Sequence, residues 1–516
     1  MADAPPPDQL AEPQPDMEEG SDTPNFIRVS GLVGGPLLGA VAALWALQGN
    51  HLQQPGALTL GVLVWIAMWW MTSAVDLAIT SLLPVLLFPL MGVGTLKETT
   101  APYADSVIFL FAGGALLGRA LEVSGLSGRF AGRLLRLAGS SPRGIVVAMF
   151  AASALVSAWV SNTATAAMLL PVGIATIHWA KKAALPGHEH TRALRNFATG
   201  VLLAIAYGAN VGGLLTIIGS PPNAIAAESL ARLGQPVDFA RWLRFGAPAV
   251  ALLGPLVVVL LLAFLPMHGL RLRPAAQHAD GGAPGGAGES PGRAGESPGS
   301  RARTRLSRAE WITTGAFMLA VVGWIAHPFI TWIPKGRVSD AAVAVGVALL
   351  LFVLPVRVRP WTGVLRGDAF RSLPWGVLIL FGGGLSLAET MQRTGLSQAL
   401  GESFSGLHSL PQPLVIFAVV AGLAIASEIA SNTALTATAV PILLAMAPDL
   451  GIPAEKLVIP AAFGASCAFM MPVGTPPNAM AYATGMVPLS RMLRVGLVLD
   501  LVCAAVVTLL TMLLLG

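Results

Sequence analysis

The chain of 516 residues is 54% hydrophobic and only 11% charged, with a mean hydropathy of +0.71, whereas a soluble domain carries about 25% charged residues. That composition excludes a soluble globular protein and leaves a polytopic all-α membrane protein. The net charge of +5 does not make a nucleic-acid surface, because the Lys and Arg residues sit in short loops between apolar runs, where they set topology.

Residues 1–26 are rich in Pro, Asp and Glu and carry no basic leader before an apolar core, so they read as a disordered cytoplasmic tail and not as a signal peptide. Apolar stretches at about 31–48, 57–72, 75–92 and 106–122 predict four crossings. Between Gly125 and Gly139, Arg129, Arg133 and Arg136 alternate with Phe130, Leu134, Leu135 and Leu137. That pattern fits a helix lying in the interface plane, or a plain basic loop.

Residues 143–180 are apolar but interrupted by Ser161-Asn162-Thr163, and are too long for one ordinary span. They read as a re-entrant hairpin of two half-helices with its tip near mid-membrane. A segment at 196–232 is broken by Gly219-Ser220-Pro221-Pro222-Asn223, where proline removes a backbone donor and disfavours helix before it. A crossing at about 246–266 completes a first half, 27–266. The stretch 267–308, Gly- and Pro-rich over 274–304 with Gly-Glu-Ser-Pro-Gly at 288 and again at 295, reads as a flexible cytoplasmic linker. The second half, 309–516, has crossings at about 311–332 and 339–355, a hairpin at 411–447 around Ser431-Asn432-Thr433, a broken helix at 457–487 around Gly474-Thr475-Pro476-Pro477-Asn478, and a last span at 493–515.

The two halves repeat in register. Leu110-Phe111 and Leu380-Phe381 differ by 380 − 110 = 270, and the Ser-Asn-Thr motifs by 431 − 161 = 270. The broken-helix motifs differ by 474 − 219 = 255, so the first half carries extra residues between its tip and its break, and the loop from Lys181 to Arg195 is the expected place. Placing Arg271, Arg273, Arg129–Arg143, Lys181–Arg195 and Arg357–Arg371 in the cytoplasm puts the N-terminus inside. About eleven crossings then leave the C-terminus outside and give the halves opposite topology. Inverted repeats with unwound segments at matching places point to a transporter binding site.

Ser, Asn and Thr are strong helix caps, and free N–H groups with the positive dipole end favour an anion. Two such tips aimed at one point would hold a dianion without Lys or Arg, while oxygens freed at the breaks would coordinate a small cation. A single Ser-Asn-Thr is as readily polar glue between helices, and a single Pro-Pro-Asn a simple kink; duplication in register favours a site. Gly113, Gly114 and Gly382–Gly384 read as close helix packing. Asp76, Arg119, Glu122, Glu228, Glu389, Glu428 and Asp500 lie in or near apolar runs. Structural roles are expected for most, with Glu428, three residues before Ser431, the one to watch. Cys467 and Cys503 form no spaced framework, and no constellation of nucleophile, base and orienter marks an enzyme.

Both Ser-Asn-Thr motifs and both Gly-Ser/Thr-Pro-Pro-Asn motifs resemble those of the divalent anion/sodium symporter family, from the first span to the C-terminus. The resemblance implies a homodimer in the plasma (inner) membrane, with a scaffold and an elevator-like moving domain made of the hairpins, the broken helices and the spans after them. It implies Na+ as coupling ion, bound at a first site by Ser157, Ser161, Asn162 and Gly219 and at a second by Ser427, Ala430, Asn432 and Gly474. Substrate carboxylates would meet Asn162, Thr163, Asn432 and Thr433, with Ser220, Thr475 and Pro476 lining the pocket. The implied activity is sodium-coupled symport of succinate, malate or fumarate, against a sodium-independent exchanger or a citrate or sulfate carrier on the same scaffold.

Overall fold

Residues 25–49, 52–184, 190–272, 306–326, 338–359, 361–403 and 410–515 are described by a computed structural model. The tail up to residue 24, the 274–304 linker, Lys335, Arg337 and His408 lie outside the described residues. The apolar runs fold as helices almost throughout. Helices α1 (Asn25–Gln48) and α2 (Gln54–Thr72) cross where a Cβ on Gly61 would lie 2.7 Å from the Gly39 carbonyl oxygen, so only glycine permits the approach. The stretch 75–92 is not one helix. The Asp76 carboxylate accepts the N–H groups of Ala78 and Ile79 and starts α3 (Leu77–Thr80); Pro84 then sits in the first turn of α4 (Leu83–Leu90), which has a second proline at Pro89. A carboxylate cap and two residues without N–H interrupt the ladder. A capping box between Thr95 and Glu98 opens α5 (Leu96–Thr100), and a tight turn leads to α6 (Ser106–Val123). The basic stretch resolves as a helix, α7 (Leu126–Ala138), with Leu137 85% exposed and Arg129 ion-paired to Glu310 at 2.6 Å.

The first hairpin is α8 (Pro142–Ser157) and α9 (Asn162–Ala183), followed by the broken pair α10 (His190–Gly212) and α11 (Pro221–Arg232) and by α12 (Phe239–Phe264). Next come α13 (Arg308–Ala326) and α14 (Asp340–Val353), then an unforeseen antiparallel ribbon, β1 (Pro355–Val358) with β2 (Trp361–Gly363), and a short α15 (Gly367–Arg371). The second half repeats the first: α16 (Trp375–Arg393), α17 (Leu396–Ser403), hairpin α18 (Gln412–Ser427) and α19 (Asn432–Met446), broken pair α20 (Ala454–Ser466) and α21 (Pro476–Ala483), and α22 (Leu489–Leu514). Among the described residues, seven helical stretches are long and apolar enough to cross a membrane. One of them is α9, which starts at the turn it shares with α8.

The extra residues of the first half do not form a longer loop. They lengthen α9 and α10 to 22 and 23 residues, against 15 and 13 in α19 and α20. Lys181, Lys182, Arg192 and Arg195 therefore lie on helices, because the Ala-rich sequence around them favours continuation over a break.

The helices sort into two groups. Hairpins α8–α9 and α18–α19, broken pairs α10–α11 and α20–α21, and helices α12 and α22 pack on one another. Helices α1–α6 and α13–α16 form the second group, with α7 and α17 joining the two. The glycine runs do serve close packing: a Cβ at Gly113 would lie 2.7 Å from that of Ala344, and one at Gly114 2.9 Å from the Ile218 side chain.

Candidate functional site

Each Ser-Asn-Thr opens a half-helix. Ser161 accepts the Ala164 N–H at 3.3 Å and Ser431 the Ala434 N–H at 3.5 Å, so α9 begins at Asn162 and α19 at Asn432. The hydroxyl at the cap satisfies one of the orphan donors of the first turn and leaves the others for a ligand. Asn162, Asn432 and Thr433 are half-buried, Thr163 is exposed, and no Lys or Arg lies in either tip. The packing is crosswise: α9 lies against α21 and α11 against α19. The turn of each hairpin meets the break of its own half, Asn162 against Gly213 and Glu428 against Gly474.

Both breaks are stitched by the same device. The Asn223 amide donates to the carbonyls of Gly213 and Thr216, both at 2.8 Å. The Asn478 amide donates to those of Ala468 at 3.0 Å and Met471 at 3.2 Å. In each half the acceptors lie ten and seven residues earlier (223 − 213 and 478 − 468; 223 − 216 and 478 − 471). The buried Oδ1 of each asparagine has no hydrogen-bond partner within the protein. The breaks also brace one another: Asn210 donates to the Thr475 hydroxyl at 3.1 Å, and the Ser220 and Ser466 hydroxyls share a contact of 3.3 Å. Buried backbone groups freed by the prolines thus find partners, as a segment at membrane depth requires.

The two candidate cation sites differ in detail. In the first, the Ser157 hydroxyl donates to Asn162 Oδ1 at 2.6 Å, and a Cβ on Gly213 would lie 2.5 Å from that oxygen and 3.2 Å from the Gly219 carbonyl oxygen. Ser157, Asn162, Gly213 and Gly219 therefore meet, while Ser161 is engaged as the cap. In the second, Ser427 donates back to the Ala424 carbonyl at 2.8 Å, and the buried Asn432 Oδ1 is left without a protein partner. The donors are uncharged oxygens in both, a set suited to a hard monovalent ion and not to a soft metal.

Only the second half adds carboxylates. Glu428, 1% exposed, accepts the N–H groups of Met470 at 2.7 Å and Met471 at 2.6 Å, and Asp500, 3% exposed, accepts that of Phe469 at 3.1 Å. Three successive donors of the unwound strand are thereby capped from the hairpin and from α22. At the equivalent of Glu428 (428 − 270 = 158) the first half has Ala158, whose carbonyl accepts the Thr216 hydroxyl at 2.6 Å. Replacing Glu428 by Leu strands two half-buried N–H groups, each at a cost toward the lower end of about 1–3 kcal/mol. Glu428→Leu is therefore expected to melt well below the parent in a detergent thermal-shift assay, with Glu428→Gln in between, since it keeps one acceptor oxygen.

Of the residues named from sequence, Ser157, Asn162 and Gly219 come together, as do Asn432 and Ser431 at the second tip. Gly474 lies against Glu428, its Cβ position 2.6 Å from the carboxylate oxygen Oε2. Ser220 and Thr475 are buried, 3% and 2% exposed, with their hydroxyls in the braces between breaks, and Pro476 is exposed beside them. Asn223, Asn478, Asn210 and Asp500 were not assigned from sequence as site residues. The doubled Pro-Pro-Asn was the available signal for the first two.

A family model described as citrate transporter matches residues 67–457. The sodium-dependent dicarboxylate transporter SdcS of Staphylococcus saprophyticus is 32% identical over 489 residues, 94% of this chain and 91% of that protein, and SdcS of a Staphylococcus aureus strain is 32% identical over 483 residues, 93% and 89%. The crystal structure of the YdaH transporter of Alcanivorax borkumensis, described as having an unusual topology, aligns with a TM-score of 0.52 at 14% identity over 84% of this chain and 89% of that one. That last likeness bears on the fold alone. With the model matched over three quarters of its length and the relatives aligned from near one end to the other, the chain belongs to the citrate-transporter family of that model, the divalent anion/sodium symporters whose paired motifs it carries.

Proposed function

We propose that this protein is a sodium-coupled symporter of C4-dicarboxylates such as succinate, malate and fumarate, working by elevator-type alternating access as a homodimer in the inner membrane. The observation that carries the reading is the pair of asparagine-headed half-helices packed crosswise on the half-helices that follow two stitched breaks, in a chain 32% identical to transporters named for sodium and dicarboxylate. In this reading Asn162 and Thr163 hold one carboxylate and Asn432 and Thr433 the other, each at the positive end of a helix. Ser220, Thr475 and Pro476 form the wall between them. Sodium ions at Ser157, Ser161, Asn162 and Gly219, and at Ser427, Ala430, Asn432 and Gly474, offset the substrate's charge in a low dielectric. The group of hairpins, broken helices, α12 and α22 is the moving body, and the other group is the frame. The N-terminus is cytoplasmic and the C-terminus outside.

The family model's description favours citrate as a second candidate substrate. Uptake of radiolabelled succinate into proteoliposomes separates the readings. An inward sodium gradient is expected to drive uptake into empty vesicles, with a potassium gradient inert. Uptake only into succinate-loaded vesicles, indifferent to sodium, would make the protein an exchanger and remove both sodium sites. Sodium-driven uptake of citrate without succinate would replace the substrate and keep the mechanism.

A further inference from the structure

One cation outside the site holds three carboxylates. Arg232, the last residue of α11, places its guanidinium 2.8 Å from Asp105, 3.1 Å from Glu228 and 2.9 Å from Glu389. Glu228 lies on α11 itself, one turn earlier. Asp105 caps α6 and Glu389 lies on α16, both in the other helix group. The Arg232 side chain is 21% exposed and that of Asp105 18%, so this contact is partly shielded from water and kept from the near-zero value of a fully solvated pair, while Glu389, 47% exposed, is the more solvated partner. All five of the arginine's donors lie in a fixed fork, and three separate acceptors use its three nitrogens, an arrangement lysine cannot copy. The other ion pairs among the described residues lie differently: Arg129–Glu310 ties the joining helix α7 to α13, Arg241–Glu455 joins α12 to α20 within the first group, and Arg393–Glu98 joins α16 to α5 within the second.

The cluster is also one-sided. Moving by the repeat offsets, 232 + 255 = 487 is Val487, 228 + 255 = 483 is Ala483, 105 + 270 = 375 is Trp375, and 389 − 270 = 119 is Arg119, which pairs with its own neighbour Glu122 at 2.8 Å. In an inverted repeat, alternating access exchanges the relation of the two halves to the frame. A tie present in one half only has no twin to form when the other half takes its place. It therefore weights the equilibrium toward the state that contains it, and does so whether or not substrate is bound.

We propose that Arg232, clamped by Asp105 and Glu389, is an ionic latch between the two helix groups that biases the transporter toward the conformation described above. The proposal rests on the alternating-access reading, but not on the identity of substrate or ion. Topology agrees with it: with the N-terminus inside, the end of α11, the start of α6 and the end of α16 all fall on the outer side, so one face carries the whole cluster.

The test uses the full chain in nanodiscs with spin labels at Val123→Cys, at the exposed end of α6, and Lys181→Cys, on exposed α9; the two native cysteines are buried. Double electron–electron resonance then reads the distance between the groups. The parent is expected to show one dominant distance. Arg232→Ala, and separately Asp105→Asn with Glu389→Gln, should each shift the population ratio toward a second distance by about ten-fold, a typical size for a coupling of this kind. Combining all three changes should add little, and Arg232→Lys, which folds with the charge retained, should fall between. Arg241→Ala, which breaks a pair inside one group, should leave the distribution as in the parent. Coincident distributions for parent and Arg232→Ala, or an equal shift from Arg241→Ala, would overturn the latch. Uptake is measured on the same preparations. Shifted distances with no sodium-driven uptake by the parent would remove the symporter reading and leave the latch standing.

Discussion

Reconstituted Asn162→Ala and Asn432→Ala are each expected to lose sodium-driven succinate uptake by roughly 10- to 100-fold, the range for removing one hydrogen bond to a charged group. The loss should show in the sodium concentration for half-maximal uptake as well as in rate, because in the proposed function each asparagine would offer its amide oxygen to a cation and head a helix facing the substrate. The serines behind them should separate. Ser157 donates to Asn162 Oδ1 at 2.6 Å, whereas Ser427 donates to the Ala424 carbonyl and leaves Asn432 unsupported. Ser157→Ala should therefore weaken sodium dependence several-fold, with Ser427→Ala much milder. The reverse order would mean that Ser427 turns toward the ion on binding, and a null result at both asparagines would remove the tips from the site altogether.

The second large effect is on folding. Asn223→Leu deprives the Gly213 carbonyl of its donor and leaves that of Thr216 with the Gly219 N–H at 3.3 Å, whereas Asn478→Leu leaves the Ala468 carbonyl with the Asn210 amide at 3.3 Å and that of Met471 with the Gly474 N–H at 3.2 Å. The stranded Gly213 carbonyl costs Asn223→Leu about 1–3 kcal/mol, a sizeable fraction of what holds a domain together. Asn223→Leu should express poorly and elute in part as aggregate in size-exclusion chromatography, with Asn478→Leu milder. Asn→Asp at either position, which keeps the shape but removes the donors, should be as damaging. If Asn→Asp behaved like the parent, the amide would not be the stitch. Although the two halves use the same spacing, position 223 should fail further than 478, because both acceptors of Asn478 keep a second donor.

The landmarks of this fold were legible because they are local and doubled. Ser161 and Ser431 act as caps within their own first turns, and the prolines at 221 and 476 open α11 and α21 by a property of one residue, since a first-turn proline needs no N–H partner. The hairpins and breaks accordingly fall where the motifs put them. The third apolar stretch is interrupted, and not one helix, for an equally local reason: 75–92 is apolar throughout except Asp76 and Thr80-Ser81, and hydropathy does not register a carboxylate cap followed by Pro84 and Pro89. The extra residues of the first half were placed in a loop because they are basic, yet Lys and Arg are good helix formers and extend α9 and α10. What sequence could not supply is long-range. Arg232 meets Asp105 across 127 positions and Glu389 across 157, and no periodicity links them. Glu428 stood out as a charge near a tip, but its use became evident only with the Met470 and Met471 N–H groups beside it. Asn223 and Asn478 were visible in the repeated Pro-Pro-Asn, though only folded geometry shows an amide reaching back over the break its neighbours cause.

The unequal lengths of the hairpin arms bear on how this molecule is best imaged. A pseudo-two-fold axis in the membrane plane makes a side-on particle resemble its own upside-down view, a recurrent source of misalignment. Here α9 exceeds α19 by seven residues and α10 exceeds α20 by ten, which at 1.5 Å per residue is roughly 10 and 15 Å of additional helix. That antiparallel stalk marks one end of the particle. A rigid tag spliced between Ala183 and His190 would extend the mark, and would give averaging software an unambiguous up and down without touching either tip or either break.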